Sequence, residues 1–356
     1  MTTSSTRLRI AVLFGGRSAE HDVSVMSGTN VMRALDPEKY DAVPVFITRD
    51  GRWLASRFED GELERPAVGT EICLVPGGQG RLVALPAGGT PHELPAIDLI
   101  FPVLHGLPGE DGSVQGLAEV AGVALVGCGI LGSATALDKD IAKKLYIGAG
   151  LATARSVTIH PGAEPSFAEL SATLGLPIFI KPARQGSSVG VSKVTSEADY
   201  AAALVEGFRH DRKLLAEEFI AGREIELSVL EQPDGELFVS RPGEIRPAES
   251  HGFYSYDAKY IDADGAAIIV PAQLPAEVEA QLQEMAAGAF RALGCDGMAR
   301  ADFFVTQDMR ILVNELNTIP GFTNISMYPK AMAASGVGYP ELIDRLVAHG
   351  LARAGK

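Results

Sequence analysis

Cations are scarce in this sequence: 31 Lys and Arg stand against 45 Asp and Glu, a formal charge of −14. A binder of nucleic acid or of an anionic membrane would carry a basic surplus or stripe, and neither is present. An acidic protein that still takes an anion such as ATP must gather its cations, or metal ions, in one place. Cysteine is scarcer, with Cys73, Cys128 and Cys295 scattered and no CxxC pair. An odd count leaves a thiol unpaired, which argues against a disulfide scaffold and for a reducing cytoplasm. The 7 histidines show no metal-ligand spacing. No apolar run approaches the ~18 residues of a membrane span. The N-terminal run Ile10 to Phe14 is too short for a secretory signal core. A cytoplasmic protein with no membrane and no nucleic-acid partner is expected.

What remains suits a globular enzyme: 356 residues, 46% hydrophobic and 21% charged. That length predicts two or three domains. Apolar runs at 9–14, 42–48, 97–104 and 123–127 alternate with helical stretches, one from about Val23 and one from Ser113 (a plausible N-cap) to Gly122 (a plausible C-cap). Strands alternating with helices predict an N-terminal α/β domain, 1–136, on a doubly wound, mostly parallel sheet. A single helix over about 133–150 leads into a central unit, 137–228, whose strands at 177–183, 189–194, 214–219 and 224–230 are joined by loops short enough for an antiparallel α+β arrangement. The third unit, 229–356, contains a long aperiodic segment, 243–264, then a helix over 275–293 and strands over 299–306 and 310–316. Loops of that length in compact domains are usually functional or disordered.

The last strand pair is the most informative feature. Arg300, Asp302 and Phe304 share one face by period two, and Ile311, Val313, Glu315 and Asn317 share one face of the next strand. A turn centred on Asp308-Met309 places Asp302 opposite Glu315, and like charges directly across a strand pair repel. A bound cation removes that penalty, and Asn317 adds a neutral oxygen. Oxygen donors without His or Cys select Mg2+ over zinc. A solvent-facing polar strand end is the alternative, made less attractive by the Asn-Thr-Ile-Pro-Gly-Phe-Thr loop that follows.

In KPARQGSSVGV (181–191), Lys181 ends a core strand, and Gly186, Ser187, Ser188 and Gly190 offer N–H groups and hydroxyls to a phosphate. There is no Walker A loop here, and a plain hairpin turn is an equal reading. Gly127, Gly129 and Gly132 match a dinucleotide fingerprint but lack the ribose-binding acid about 20 residues on, so a turn between domains is expected. Loops at 15–21, 105–112 and 127–132 leave the carboxyl ends of N-terminal strands, where ligands bind in such sheets. Glu20 there suits an ammonium group or a helix-start charge, and His105 reads as a core or loop histidine.

Seven segments together resemble the D-alanine–D-alanine ligase family of the ATP-grasp superfamily, in that family's order: FGGRSAEHDVSVMSG (14–28), HGLPGEDGSVQG (105–116), ALDKDIAKKL (136–145), IKPARQGSSVGVSKV (180–194), EEFIAGREIELSVL (217–230), FYSYDAKY (253–260), and RADFF with NELNTIPGFTNISMYP (300–329). The resemblance implies an ATP-grasp fold that ligates two D-alanine molecules through an acylphosphate, releasing ADP and phosphate, for peptidoglycan synthesis. It implies that Lys139, Lys181 and Ser188 meet the ATP phosphates, Glu217 and the 218–220 backbone (Glu218, Phe219, Ile220) hold adenine, and Glu224 holds the ribose. By the same resemblance Asp302, Glu315 and Asn317 bind two Mg2+ ions, for which Mn2+ can substitute. Glu20 anchors the first D-alanine's ammonium with His105 nearby, and Ser326 and Met327 hold the second substrate. Arg300 and the Gly321 N–H stabilise the oxyanion, and Ser187 with Tyr260 relays a proton. The resemblance further implies that the segment 243–264 is a mobile lid with Lys259 and Tyr260 at its closing end, Lys259 meeting the nucleotide, and that Tyr260 favours an amine acceptor over D-lactate. The family also implies a homodimer. A regulatory relative with a dead site would have lost a phosphate lysine, a metal carboxylate or Arg300, and all are present.

Overall fold

Leu8–Gly15 carries two apolar sets at period two, and the fold buries both. In this computed structural model, which describes residues 7–247 and 266–355, Ile10, Val12 and Phe14 pack against the helix His21–Ala34. Ala11 and Leu13 pack on the opposite face against the helix Ser113–Ala121. The strand is the centre of an eight-stranded sheet. Ala124–Leu125, Leu99–Pro102, Leu8–Gly15 and Tyr40–Ile47 run parallel, with helices on both faces. The other four strands, Trp53–Ala55, Glu71–Leu74, Leu82–Leu85 and His92–Leu94, form an antiparallel meander. The mostly parallel sheet expected from the sequence is therefore parallel over only half its strands. The connections 48–52, 75–81 and 86–91 are too short for the crossover that parallel pairing demands, and the longer 56–70 holds the small hairpin of Phe58–Glu59 with Glu62–Leu63.

Helix starts refine other expectations. Gly112, in the left-handed region at φ 94, precedes the first turn of Ser113–Ala121 and takes the N-cap place expected for Ser113, while Gly122 ends the helix as expected. The single helix expected over 133–150 is two, Ile130–Leu137 and Lys139–Gly148. Asp138 breaks them, because its carboxylate caps the second by accepting from the Ile141 N–H.

The second sheet is antiparallel throughout, in the order Ser156–Ile159, Leu214–Glu218, Ile178–Pro182, Ser192–Val194. The third centres on Gly222–Glu231 and Met298–Thr306, with Ile311–Asn317 beyond the latter. Gly222–Glu231 runs through the 228/229 boundary expected from the sequence. The first residues of the expected lid are a strand: Gly243–Pro247 pairs with Gly222–Glu231 on one side and Ala266–Ile269 on the other. The terminal Gly and Pro and the charges of Glu244 and Arg246 hid its periodicity. The rest of that segment, with Lys259 and Tyr260, lies outside the described residues.

Two helices not foreseen from the sequence close the fold. Tyr328 and Met332 from Met327–Ala334, and Leu342, Ile343, Leu346 and Val347 from Tyr339–Arg353, join the same core as Ile10 and Val12. The end of the chain thus covers one face of the first sheet and ties it to the third. Among the described residues no helix is long and apolar enough to cross a membrane.

Candidate active site

The hairpin of Met298–Thr306 and Ile311–Asn317 sets Asp302 directly opposite Glu315 and Arg300 opposite Asn317, in the register expected from the turn. One difference matters. A bulge after Asp302 inserts Asn314, and the alternation of the second strand changes phase there. Ile311 and Val313 consequently point into the core with Phe303 and Val305, away from the face that carries Glu315 and Asn317. The repulsion expected between the carboxylates is also answered by the protein. Arg300 grips Asp302 with two hydrogen bonds, 2.7 Å from Nε and 2.6 Å from Nη2. Asn317 Nδ2 donates to Asp302 at 3.0 Å, and Lys139 Nζ lies 3.2 Å from Glu315. Burial opposes the Arg300 charge, but Asp302 and Glu226 hold its pKa well above the ordinary value. Among the described residues no three His, Cys, Asp or Glu side chains converge as metal ligands; the set here is two carboxylates and an amide.

Lys139 is the first residue of its helix because Asp138 caps it, and this aims the side chain at a cavity of about 570 Å3 between the second and third sheets. Lys181, Ser187, Ser188, Glu217, Phe219, Ile220, Glu224, Phe304 and Glu315 share that lining. Ser187 and Ser188 both adopt left-handed backbone, φ 51 and 59, an uncommon choice for residues with a Cβ and one that clusters at ligand sites. Behind the cavity, Glu217 is buried between two lysines, Lys181 on the cavity side and Lys143 at 2.5 Å on the core side. Burial would raise the Glu217 carboxyl, but the two cations win and hold it below its ordinary value. Burial lowers the pKa of Lys143. Glu218, by contrast, spends its side chain on Arg155 at 2.6 Å, so only its backbone is available to a ligand.

A second cavity, about 150 Å3, lies where the first sheet meets the third. Glu20 stands at the N-cap of His21–Ala34 and makes no side-chain cap, so its carboxylate lines this space. Arg300, Asn317, Gly321, Ser326 and Met327 line it from the other side. A Cβ on Gly321 would come within 2.6 Å of Ser326 Oγ, which also accepts from the Thr323 N–H at 3.0 Å. His105 lines it too. Its Nδ1 bonds the Ile319 carbonyl at 3.0 Å, and burial lowers its pKa, so it is a neutral histidine built into the wall. The cavities share Gly186, Ser187, Ile245 and Glu315. A phosphate in the larger and a carboxylate in the smaller would meet at that junction.

Sequence reasoning missed three charged groups here: Lys143, Glu226 and Glu110. Period two in EIELSVL would have placed Glu226 on a face with Glu224, and Lys143 stands one helical turn from Lys139. Glu110 lies in the loop 105–112 and in the segment HGLPGEDGSVQG, but nothing there sets its carboxylate apart from that of Asp111. Glu110 accepts from the Gly106 N–H at 2.6 Å, and burial, with Glu20 nearby, pushes it up to about 7. A carboxyl raised in the folded state stabilises below its unfolded pKa and loses that contribution as pH rises through the folded one. We therefore expect Glu110→Gln to become more stable relative to the parent between pH 4.5 and 7, by roughly 3 kcal/mol at ~1.4 kcal/mol per pH unit. Urea unfolding of the ligand-free protein across that range checks this; a constant difference contradicts it.

Residues 9–128 match the family profile described as D-ala D-ala ligase N-terminus, and residues 148–348 match D-ala D-ala ligase C-terminus. This chain belongs to the D-alanine–D-alanine ligase family. D-alanine–D-alanine ligase A of Brucella suis biovar 1 (strain 1330) is 68% identical over 98% of this chain and 99% of its own length, and that of Mesorhizobium japonicum is 58% identical over 98% of each. Among solved structures, the D-alanine–D-alanine ligase from Coxiella burnetii is 32% identical with a TM-score of 0.84, covering 98% of this chain and 95% of its own. The VanG D-Ala:D-Ser ligase from Enterococcus faecalis is 36% identical with a TM-score of 0.83, covering 97% and 100%. The second and third sheets thus have the ATP-grasp arrangement of the D-alanine–D-alanine ligase fold.

Proposed function

We propose that this chain joins two D-alanine molecules at the expense of ATP, in the cytoplasm and as a homodimer, supplying a peptidoglycan precursor. The observation that carries the reading is the junction at Ser187 and Glu315, which brings a nucleotide-sized cleft against a cavity fit for small zwitterions. The larger cavity takes ATP, with the base toward Glu217 and the 218–220 backbone, the ribose at Glu224, and the phosphates at Lys139, Lys181 and Ser188. Lys259 closes on the same nucleotide. Asp302, Glu315 and Asn317 fit Mg2+ because they offer only oxygen donors, which hard cations prefer. Two such ions, or Mn2+ in their place, would supply charge neutralisation along the triphosphate. Unit 1–136 would then act as substrate domain, the second sheet as nucleotide wall, and the third sheet, from Gly222 on, as metal-bearing wall.

Glu20 holds the first D-alanine's ammonium and leaves its carboxylate at the junction. A carboxylate oxygen attacks the γ-phosphorus, the bond to ADP breaks, and an acylphosphate forms. Lysine charge and positioning do most of the work in such a transfer. Ser326 and Met327 seat the second D-alanine, whose amine attacks the acyl carbon. Its proton leaves through Ser187 and Tyr260, and the tetrahedral oxyanion, held by Arg300 and the Gly321 N–H, collapses to the dipeptide with loss of phosphate. Exclusion of water, the part read for the segment that follows the strand Gly243–Pro247, keeps the acylphosphate from hydrolysis. Phosphate release from ATP tests the reading. D-alanine should drive it and L-alanine should not, with D-serine and D-lactate weaker acceptors than D-alanine. Equal release with both alanine enantiomers contradicts it.

A further inference from the structure

Arg300 faces two carboxylates that make different demands. Asp302, two residues along the same strand, takes both Nε and Nη2 and draws the guanidinium back along its own strand. Glu226 stands across the neighbouring strand, directly opposite Asp302 in the register, with its carboxylate 3.0 Å from Arg300 Nε. Both acids are buried, and Glu226 and Arg300 line the small cavity together. A guanidinium this far out of water (the Arg300 side chain is 20% exposed) needs an ionic partner. Under the reading above, the oxygens of Asp302 also serve divalent cations, which divides its charge between the cations and Arg300 during turnover. Glu226 has no such second duty in that reading. Its place is fixed by antiparallel pairing on both sides, with Asp302 on one strand and Gly243 on the other.

We propose that Glu226 is a positioning residue that holds the Arg300 guanidinium on the small cavity, at the carbonyl where negative charge develops. This rests on the reading of Arg300 as an oxyanion donor. The donor then does not swing with Asp302, and Glu226 acts on the reaction only through Arg300.

The test is a double-mutant cycle with E226Q, R300K and the pair, read as kcat, KM for ATP, and the affinity of a phosphinate dipeptide analogue that mimics the tetrahedral intermediate. E226Q should lower kcat by about 10²-fold, the scale of one lost oxyanion donor. Analogue affinity should fall in parallel, with KM for ATP changed less than about twofold. E226D, which restores the charge, should recover most of the loss. In an R300K background E226Q should add less than about threefold, because residues acting as one unit are not additive. Fully multiplicative effects, or an E226Q enzyme with parental kcat and analogue affinity, overturn the proposal. An R300K enzyme as active as the parent removes the reading of Arg300 itself and the proposal with it, so the two failures are distinguishable.

Discussion

Glu315→Gln should fold like the parent and lose D-alanine-dependent phosphate release by about 10³-fold or more, the scale on which preorganised charge at a transferring group acts. The substitution keeps the shape and removes one charge at the position where the two cavities touch. Its folded-state cost is small for two reasons. The Glu315 side chain is 24% exposed and its ion pair with Lys139 spans 3.2 Å, so the pair is partly screened. Removing the charge also relieves its opposition to Asp302 across the hairpin. Urea unfolding should therefore differ by no more than about 1 kcal/mol, and phosphate release should nearly vanish. Full activity at low Mg2+ contradicts the place given to Glu315.

Lys143→Met should have the opposite signature, a large loss of stability with a modest effect on turnover. Lys143 is 5% exposed and donates to Thr153 Oγ1 at 2.9 Å and to the Ala154 carbonyl at 3.1 Å, with Glu217 at 2.5 Å. The methionine leaves Glu217 buried with Lys181 as its remaining lysine. Breaking a buried pair from one side costs about 3–5 kcal/mol. The sign with pH follows from Glu217, whose carboxyl lies below its ordinary value in the fold. Its stabilisation is present above the unfolded carboxylate pKa and is lost as pH falls through the folded one. The gap between parent and variant should thus be widest near neutrality and narrow in acid. KM for ATP should rise roughly tenfold, the equivalent of one ionic hydrogen bond. A variant within 1 kcal/mol of the parent at all pH values contradicts the buried triad.

The opposition of Asp302 and Glu315 follows from counting out of a turn centred on Asp308-Met309. Yet the pairs beside the turn, Val305 with Ile311 and Phe304 with Leu312, centre on Asp308, and the bulge's extra residue is what restores the expected pair. The bulge at Asn314 was not legible, since a period-two reading cannot see an inserted residue until a partner strand shows two against one. The sequence reading also assigned the repulsion to a missing cation. Arg300, already placed on the same face as Asp302, supplies much of that charge itself. Helix boundaries followed local chemistry: Ser196 and Asp199 form the capping box that starts Glu197–His210, whereas Asp138 divides a run that periodicity alone joins. The strand Gly243–Pro247 escaped because it lies between two others of the third sheet and owes its conformation to them. The helix Tyr339–Arg353 went unread although its signals are local, Pro340 in the first turn and the apolar stripe of Leu342, Ile343, Leu346 and Val347; only its place on the first sheet depends on distant contacts.

D-alanine labelled with 18O in its carboxylate tests most directly whether the carboxylate of one D-alanine takes the γ-phosphoryl group at the junction of the two cavities. Attack by that oxygen, followed by loss of phosphate from the acyl carbon, carries one labelled oxygen into the inorganic phosphate for each dipeptide formed. Phosphate bearing that single label is the result expected; unlabelled phosphate released together with dipeptide would contradict it.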